Sequence, residues 1–138
     1  FSFSPTPGFQ IVGGMLFNET RVIADSKGSS EIGKRMRNAP KWSGNLTGRY
    51  AFSKGALKGA AVGASWNYMG PRRENDVLRW SEEWERYDIF ASYGRKFGQY
   101  PVSIAFNVKN LLDSTFRVDR DTFAAGREYR ITVTVKLK

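Results

Sequence analysis

The side chains best suited to contact a ligand lie on two long segments between the stretches that resemble strands. Indole rings stack on flat groups, and guanidinium groups donate paired hydrogen bonds to carboxylates and other anions. Trp and Arg together predict a binding site for an anionic ligand. A solvated loop that binds no ligand accounts for the same composition. The candidate residues are Arg72, Arg73, Trp80, Trp84, Arg117, Arg120 and Arg127.

Most catalytic chemistry is excluded by what the chain lacks. It contains no His and no Cys, which removes His-based triads, thiol nucleophiles, Cys/His zinc sites and disulfides. Glu82, Glu83 and Glu85 could be read as the acid–base pair of a glycosidase, but neighbouring carboxylates on a polar loop are ordinarily solvated. The sequence therefore predicts no enzyme, no catalytic residue, no metal site and no cofactor.

The net charge of the chain is strongly positive, with 22 Lys and Arg against 13 Asp and Glu, or +9. Nucleic-acid binding needs a continuous basic face, whereas these basic residues are scattered over loops, turns and one strand face. The sequence therefore predicts no nucleic-acid partner. Two interpretations of the positive charge are left open. One is attraction to anionic lipopolysaccharide, and the other is a basic lumen surface that faces an acidic domain or an anionic solute.

The elements that must position these side chains are strands. Six stretches alternate apolar with small or polar residues at a period of two, and none shows a helical period over three turns. Each has about ten residues, the length at which a tilted strand crosses a bilayer. The stretches are Phe9–Asn18, Trp42–Phe52, Leu57–Gly70, Arg86–Phe97, Pro101–Leu112 and Tyr129–Lys138.

The connections between these stretches alternate long, short, long, short, long. Ser53–Ala56 and Gly98–Tyr100 are tight, while Asn18–Lys41, Pro71–Glu85 and Asp113–Gly126 are long and polar. Antiparallel hairpins with large loops at one rim and tight turns at the other are typical of outer-membrane barrels. The pattern predicts an all-β fold, an antiparallel transmembrane β-barrel segment. A soluble β-sandwich that binds an anionic ligand is the alternative.

Several motifs, in order along the chain, resemble the C-terminal barrel strands of TonB-dependent outer-membrane receptors. The most specific is Phe106-Asn107-Val108-Lys109-Asn110-Leu111-Leu112-Asp113, and Gly126-Arg127-Glu128-Tyr129-Arg130 is similar to the opening of the family's final strand. Trp66-Asn67-Tyr68-Met69-Gly70-Pro71-Arg72 and Tyr87-Asp88-Ile89-Phe90-Ala91-Ser92-Tyr93 precede them. The family motifs are carried by Asn107, Asn110, Leu111, Asp113, Gly126 and Arg127, and we expect Asn110 and Asp113 to end strand pairing and fix the loop.

The resemblance implies that residues 1–138 are the last six strands of a barrel of about 22 strands in the bacterial outer membrane. Since the chain opens with Phe1 and carries no plug, it is expected to be part of a longer protein. The implied function is import of a scarce ligand, a ferric siderophore first, energised through TonB. The implied partners are TonB, the plug and remaining strands, lipid and lipopolysaccharide. A porin-like barrel without a plug is the other membrane alternative.

Overall fold

A computed structural model describes residues 1–24, 31–74, 80–119 and 122–137 of the chain. Within these ranges all regular structure is β-strand, as the period-two alternation predicts. No helix in them is long and apolar enough to cross a membrane. The strands are β1 (Ser2–Phe3), β2 (Phe9–Phe17), β3 (Trp42–Ala51), β4 (Ala60–Met69), β5 (Arg72–Arg73), β6 (Trp80–Ser81), β7 (Trp84–Phe97), β8 (Tyr100–Lys109), β9 (Arg117–Asp119), β10 (Thr122–Phe123) and β11 (Glu128–Val135).

The long strands form one antiparallel meander in the order β1-β2-β3-β4-β7-β8-β11. Each long strand pairs with its sequence neighbour, and the two short hairpins β5-β6 and β9-β10 lie inside long connections. The six predicted strands are therefore confirmed, and the two hairpins are additions that alternation did not reveal. Ser2–Phe3 pairs with Ile11 and Val12, so β1 covers part of the outer edge of β2.

The strand bounds differ from the predicted ones where the backbone leaves the sheet. β4 begins at Ala60 and not at Leu57, because residues 52–59 close the turn through bonds such as Gly59 N–H to Phe52 O at 3.0 Å. Gly55 has the positive φ of 70° expected of it. β8 ends at Lys109, since Asn110 takes φ 52° and leaves extended geometry.

The register sorts side chains by polarity onto the two faces of the sheet. Facing residues in antiparallel strands share a side, so a row of partners across several strands belongs to one face. One face carries the apolar row Val62, Ala91, Phe106 and Ile131. The opposite face carries rows such as Asn45, Asn67 and Arg86, or Ser92, Ala105 and Thr132.

The apolar face is covered by no second layer of the described chain. Ile131 is 70% exposed and Val133 is 60% exposed, while Ala61 and Val108 are the only buried apolar residues of the described ranges. A sandwich would cover this face with its other sheet, and the described chain supplies no such sheet. An uncovered apolar face with a polar face behind it is the arrangement of a transmembrane barrel wall, with lipid outside and water or protein inside.

Aromatic side chains gather on the apolar face at both ends of the strands. Near the loops, Phe17 and Trp42 rings lie 4.7 Å apart, and Trp66 stacks on Tyr68 at 5.9 Å. Near the turns, Tyr50 packs edge-on against Phe52 at 4.8 Å. Amphipathic rings of this kind mark the two membrane–water interfaces, so they set the two boundaries of the spanning part of the wall.

Candidate functional site: the loop cluster

The three long connections meet at one rim of the sheet. We call this group the loop cluster; its described parts are residues 18–24, 31–41, 70–74, 80–83 and 110–119 with 122–127. The short β5-β6 hairpin occupies its middle and touches both other loops. The loop cluster is the candidate site, because a barrel wall offers its ligand contacts where its loops project.

Arg73 joins the middle loop to the first loop. Its guanidinium donates to the Glu31 carboxylate, and its carbonyl accepts the Asn38 N–H at 2.9 Å. The Arg73 side chain is only 4% exposed, so the carboxylate of Glu31 compensates a positive charge that is removed from water. Lys34 and Arg37 surround the same carboxylate at 3.7 and 3.4 Å.

Arg72 joins the middle loop to the last loop. Its guanidinium donates to the carbonyls of Val118 and, at 3.4 Å, Arg117, and the side chain is buried. The sequence predicted ligand contact for Arg72 and Arg73 on an open loop. Instead, the structure places both in buried contacts that hold three loops together, so ligand contact by either of them remains a prediction.

The carboxyl of Glu31 is the titratable group at the centre of these contacts. Burial opposes its ionisation, but the hydrogen bond from Arg73 and the charges of Arg73, Arg37 and Lys34 outweigh that, and its pKa lies below the ordinary 4.5. A lowered folded pKa means that the ion pairs stabilise the folded loops at pH values above 4.5. That stabilisation declines as the pH falls from 4.5 through the folded pKa.

Acid is therefore expected to loosen the loop cluster before it affects the strands. We expect amide exchange at Asn38, corrected for intrinsic rates, to accelerate as the pH falls from about 6 to about 3. The variant Glu31→Gln cannot ionise and is expected to exchange faster at neutral pH with a flatter pH dependence. Hydrogen exchange with mass spectrometry on the complete receptor measures this, and an unchanged profile in Glu31→Gln would contradict the role of Glu31.

The two predicted Trp candidates take different positions. Trp84 begins β7, two residues before the predicted strand start at Arg86, and its ring stacks on Phe116 of the last loop at 4.6 Å. Trp80 in β6 is 50% exposed, and Arg35 of the first loop lies over its ring at 5.9 Å. Each indole thus ties the middle of the cluster to a different loop, and only Trp80 leaves half its surface open to a ligand.

A cavity of about 400 Å³ opens between the β5-β6 hairpin and the last loop. Trp80, Phe116, Phe123 and Arg117 contribute to its lining, so two of the predicted candidates, Trp80 and Arg117, are brought together. Arg117 also lies over the ring of Phe123 at 5.2 Å. The remaining lining includes Glu74, Ser81, Glu82, Glu83 and Thr115. Arg120 lies outside the described residues.

The family motif around Asn110 fastens both ends of the last loop. The Asn110 amide donates to the carbonyls of Ser114 at 2.9 Å and Ala125 at 3.1 Å, and its oxygen accepts the Ser114 N–H at 3.0 Å. The residue is 2% exposed with φ 52°, a conformation that Asn tolerates better than most residues. Asn110 therefore terminates β8 and closes the loop base.

The other motif residues complete or flank this base. Asp113 accepts the Arg127 N–H at 2.7 Å, and the Leu111 N–H donates to the Tyr87 carbonyl at 2.7 Å. Gly126 leaves room for Asp113, since a Cβ at this position would lie 3.0 Å from its oxygen. Asn107 lies in β8 on the polar face and makes no side-chain hydrogen bond within the described chain.

Three residues of this rim were not singled out by the sequence. Asp88 accepts from Arg86 Nε at 3.0 Å and from the Asn110 N–H at 2.9 Å, linking β7 to the loop base. Glu31 and Glu74 are buried acids of the loop cluster. Asp88 and Glu31 bind partners 22 and 42 residues away, and Glu74 binds Ser81 seven residues later, so no local pattern marks these contacts. Only the pairing of Asp88 with Arg86 two residues earlier was visible in the sequence.

These features, a meander with an uncovered apolar face and interlocked loops at one rim, define an outer-membrane β-barrel wall. Residues 7–111 match the family described as TonB dependent receptor-like, beta-barrel. Because the match covers most of the chain, this chain belongs to that family, and its place is the bacterial outer membrane.

Two curated relatives are similar to the chain over most of its length. The metal-pseudopaline receptor CntO is 30% identical over 118 residues in both Pseudomonas aeruginosa UCBPP-PA14 and Pseudomonas aeruginosa PAO1. The alignment covers 84% of this chain and 16% of each relative. The chain thus spans about one sixth of the length of those receptors, which agrees with a segment of a longer barrel.

Proposed function

We propose that the complete protein is an active-transport receptor that imports a metal–chelator complex across the outer membrane, energised through TonB. A ferric siderophore is the form of that ligand which the resemblance to the family implies. In this mechanism the loops capture the complex, a plug blocks the barrel at rest, and force relayed by TonB displaces the plug. The described segment contributes wall and loops and no catalytic step.

Membership of the receptor barrel family is the observation that carries this proposal. The relative's name adds support for a metal–chelator complex, because that protein is a metal-pseudopaline receptor. The loop cluster supports capture as well, since three loops held by buried Arg contacts present one connected surface above the wall. A plugless diffusion barrel remains the rival, and it predicts uptake that is independent of TonB.

Uptake in whole cells tests the proposal. Cells with and without the gene for the complete receptor are grown under iron limitation and supplied with radioactive iron bound to the chelators of their own culture medium. We expect uptake to require both the receptor and TonB. Uptake that needs the receptor but not TonB would favour the diffusion barrel. If uptake under iron limitation is the same with and without the receptor, the proposal that the ligand is a ferric complex is contradicted.

A further inference from the structure

The described lining of the cavity between the β5-β6 hairpin and the last loop is more acidic than the sequence predicts. The predicted candidates on this rim are Arg and Trp, chosen for an anionic ligand. The described lining residues, however, include three carboxyl groups, Glu74, Glu82 and Glu83, and a single guanidinium, Arg117. An anion entering this cavity therefore meets a net excess of like charge.

Glu74 supplies an independent sign of a missing partner. The residue is 3% exposed, and its Oε1 accepts the Ser81 hydroxyl at 2.8 Å. Its Oε2 is buried and has no hydrogen-bond partner in the described chain. Buried carboxyl oxygens are ordinarily satisfied, and leaving one bare costs free energy, so a donor from a ligand would gain a bond that the protein leaves unmade.

The other acids and the rings define what such a donor would look like. Glu82 is exposed and has no polar partner in the described ranges, whereas Glu83 already accepts the Tyr68 hydroxyl at 2.8 Å. The rings are largely engaged, because Arg117 covers Phe123 and Trp84 stacks on Phe116. Trp80 is half exposed although Arg35 lies over its ring at 5.9 Å, so its ring keeps accessible surface for a ligand. A positively charged N–H donor, carried beside a flat group, would therefore complete the contacts of these carboxyl groups and this ring.

We infer that this cavity is a subsite for a cationic, N–H-bearing part of the imported ligand, such as a protonated amine, bound by Glu74 and Glu82 beside Trp80. The inference rests on the proposed function for its ligand, but the chemistry of the cavity can be measured without that ligand. A volume of about 400 Å³ accommodates a small substituted ring, since engineered cavities of about 150 Å³ take benzene.

A matched pair of probes tests the sign of the charge that the cavity accepts. Benzylammonium and benzoate have the same ring and opposite charge, and their binding to the purified complete receptor is measured by saturation-transfer NMR titration. We expect benzylammonium to bind at least about tenfold more tightly than benzoate, as a charge-assisted bond to a buried acceptor implies. Equal binding, or tighter binding of benzoate, would overturn the inference.

Variants locate the binding in this cavity. Glu74→Gln and Glu82→Gln each keep the side-chain shape and are expected to weaken benzylammonium binding by about threefold or more. Glu19→Gln is the control, because Glu19 lies on the first loop and pairs at the surface with Arg21 at 3.3 Å. If Glu74→Gln fails to assemble, the exposed Glu82→Gln still decides. Equal loss in all variants, or none in the two cavity variants, would refute the subsite.

The outcomes also separate this inference from the proposed function. TonB-dependent uptake of the metal–chelator complex with no preference for benzylammonium would leave the receptor function intact and remove the subsite. Selective benzylammonium binding that both cavity variants weaken, in a receptor that imports no metal complex, would retain the cationic subsite and remove the proposed ligand class.

Discussion

Replacing Ile131 with Arg is expected to destabilise the assembled barrel by about 3 kcal/mol. Ile131 lies on the apolar face of β11, opposite Phe106, and is 70% exposed to the surroundings of the sheet. If those surroundings are lipid, a guanidinium there must be buried in hydrocarbon or drawn to the interface. The free energy of unfolding, measured by denaturant titration of the complete receptor in vesicles, should fall accordingly.

Thr132→Arg is the matched control for this prediction, because the next residue along the same strand points to the polar face. We expect it to change the free energy of unfolding by less than about 1 kcal/mol, since the lumen side of a barrel tolerates charge. Similar losses in the two variants, or a larger loss in Thr132→Arg, would show that the apolar face does not contact lipid.

Replacing Asn110 with Ala is expected to destabilise the last loop by about 3 kcal/mol or more. The change leaves the Ser114 and Ala125 carbonyls without their donor and the Ser114 N–H without its acceptor. It also forces Ala into the positive φ that Asn110 adopts. Hydrogen exchange at Ser114 and Arg127 should accelerate, and the amount of receptor assembled in the outer membrane should drop.

Asn107→Ala is the control that distinguishes the loss of the Asn110 hydrogen bonds from the loss of an Asn side chain in general. Asn107 has the same side chain three residues earlier in the chain, lies on the polar face of β8, and makes no side-chain hydrogen bond among the described residues. We expect its loop exchange rates to match those of the unaltered receptor. Equal acceleration in the two variants would mean that the hydrogen bonds of Asn110 do not hold the loop.

The wall could be predicted because its information is local. Period-two alternation places apolar residues such as Val62 and Ile131 on one face whatever the rest of the protein does. The alternation of long and short connections likewise predicts directly that consecutive strands pair as antiparallel hairpins. The errors fell at strand ends, where single residues decide: the turn before Ala60 and the positive φ of Asn110 each shorten a strand that alternation alone would extend.

The loop cluster could not be predicted because its contacts join distant residues. Arg73 reaches Glu31 across 42 positions, and Arg72 reaches Val118 across 46. Composition showed Arg on loops, which is equally compatible with binding an anion and with holding loops together. The acidic character of the cavity depends on which of many charged residues the fold gathers, and only three-dimensional proximity reveals it.

Site-directed spin labelling of β11 tests most directly the claim that this sheet is a membrane-spanning wall. Single cysteines are placed at residues 131 to 134 of the complete receptor, after removal of any others outside this cysteine-free chain. In vesicles, labels at Ile131 and Val133 should be accessible to oxygen in lipid, and labels at Thr132 and Thr134 to a water-soluble nickel chelate. A uniform profile, or one with the two faces exchanged, would contradict the account.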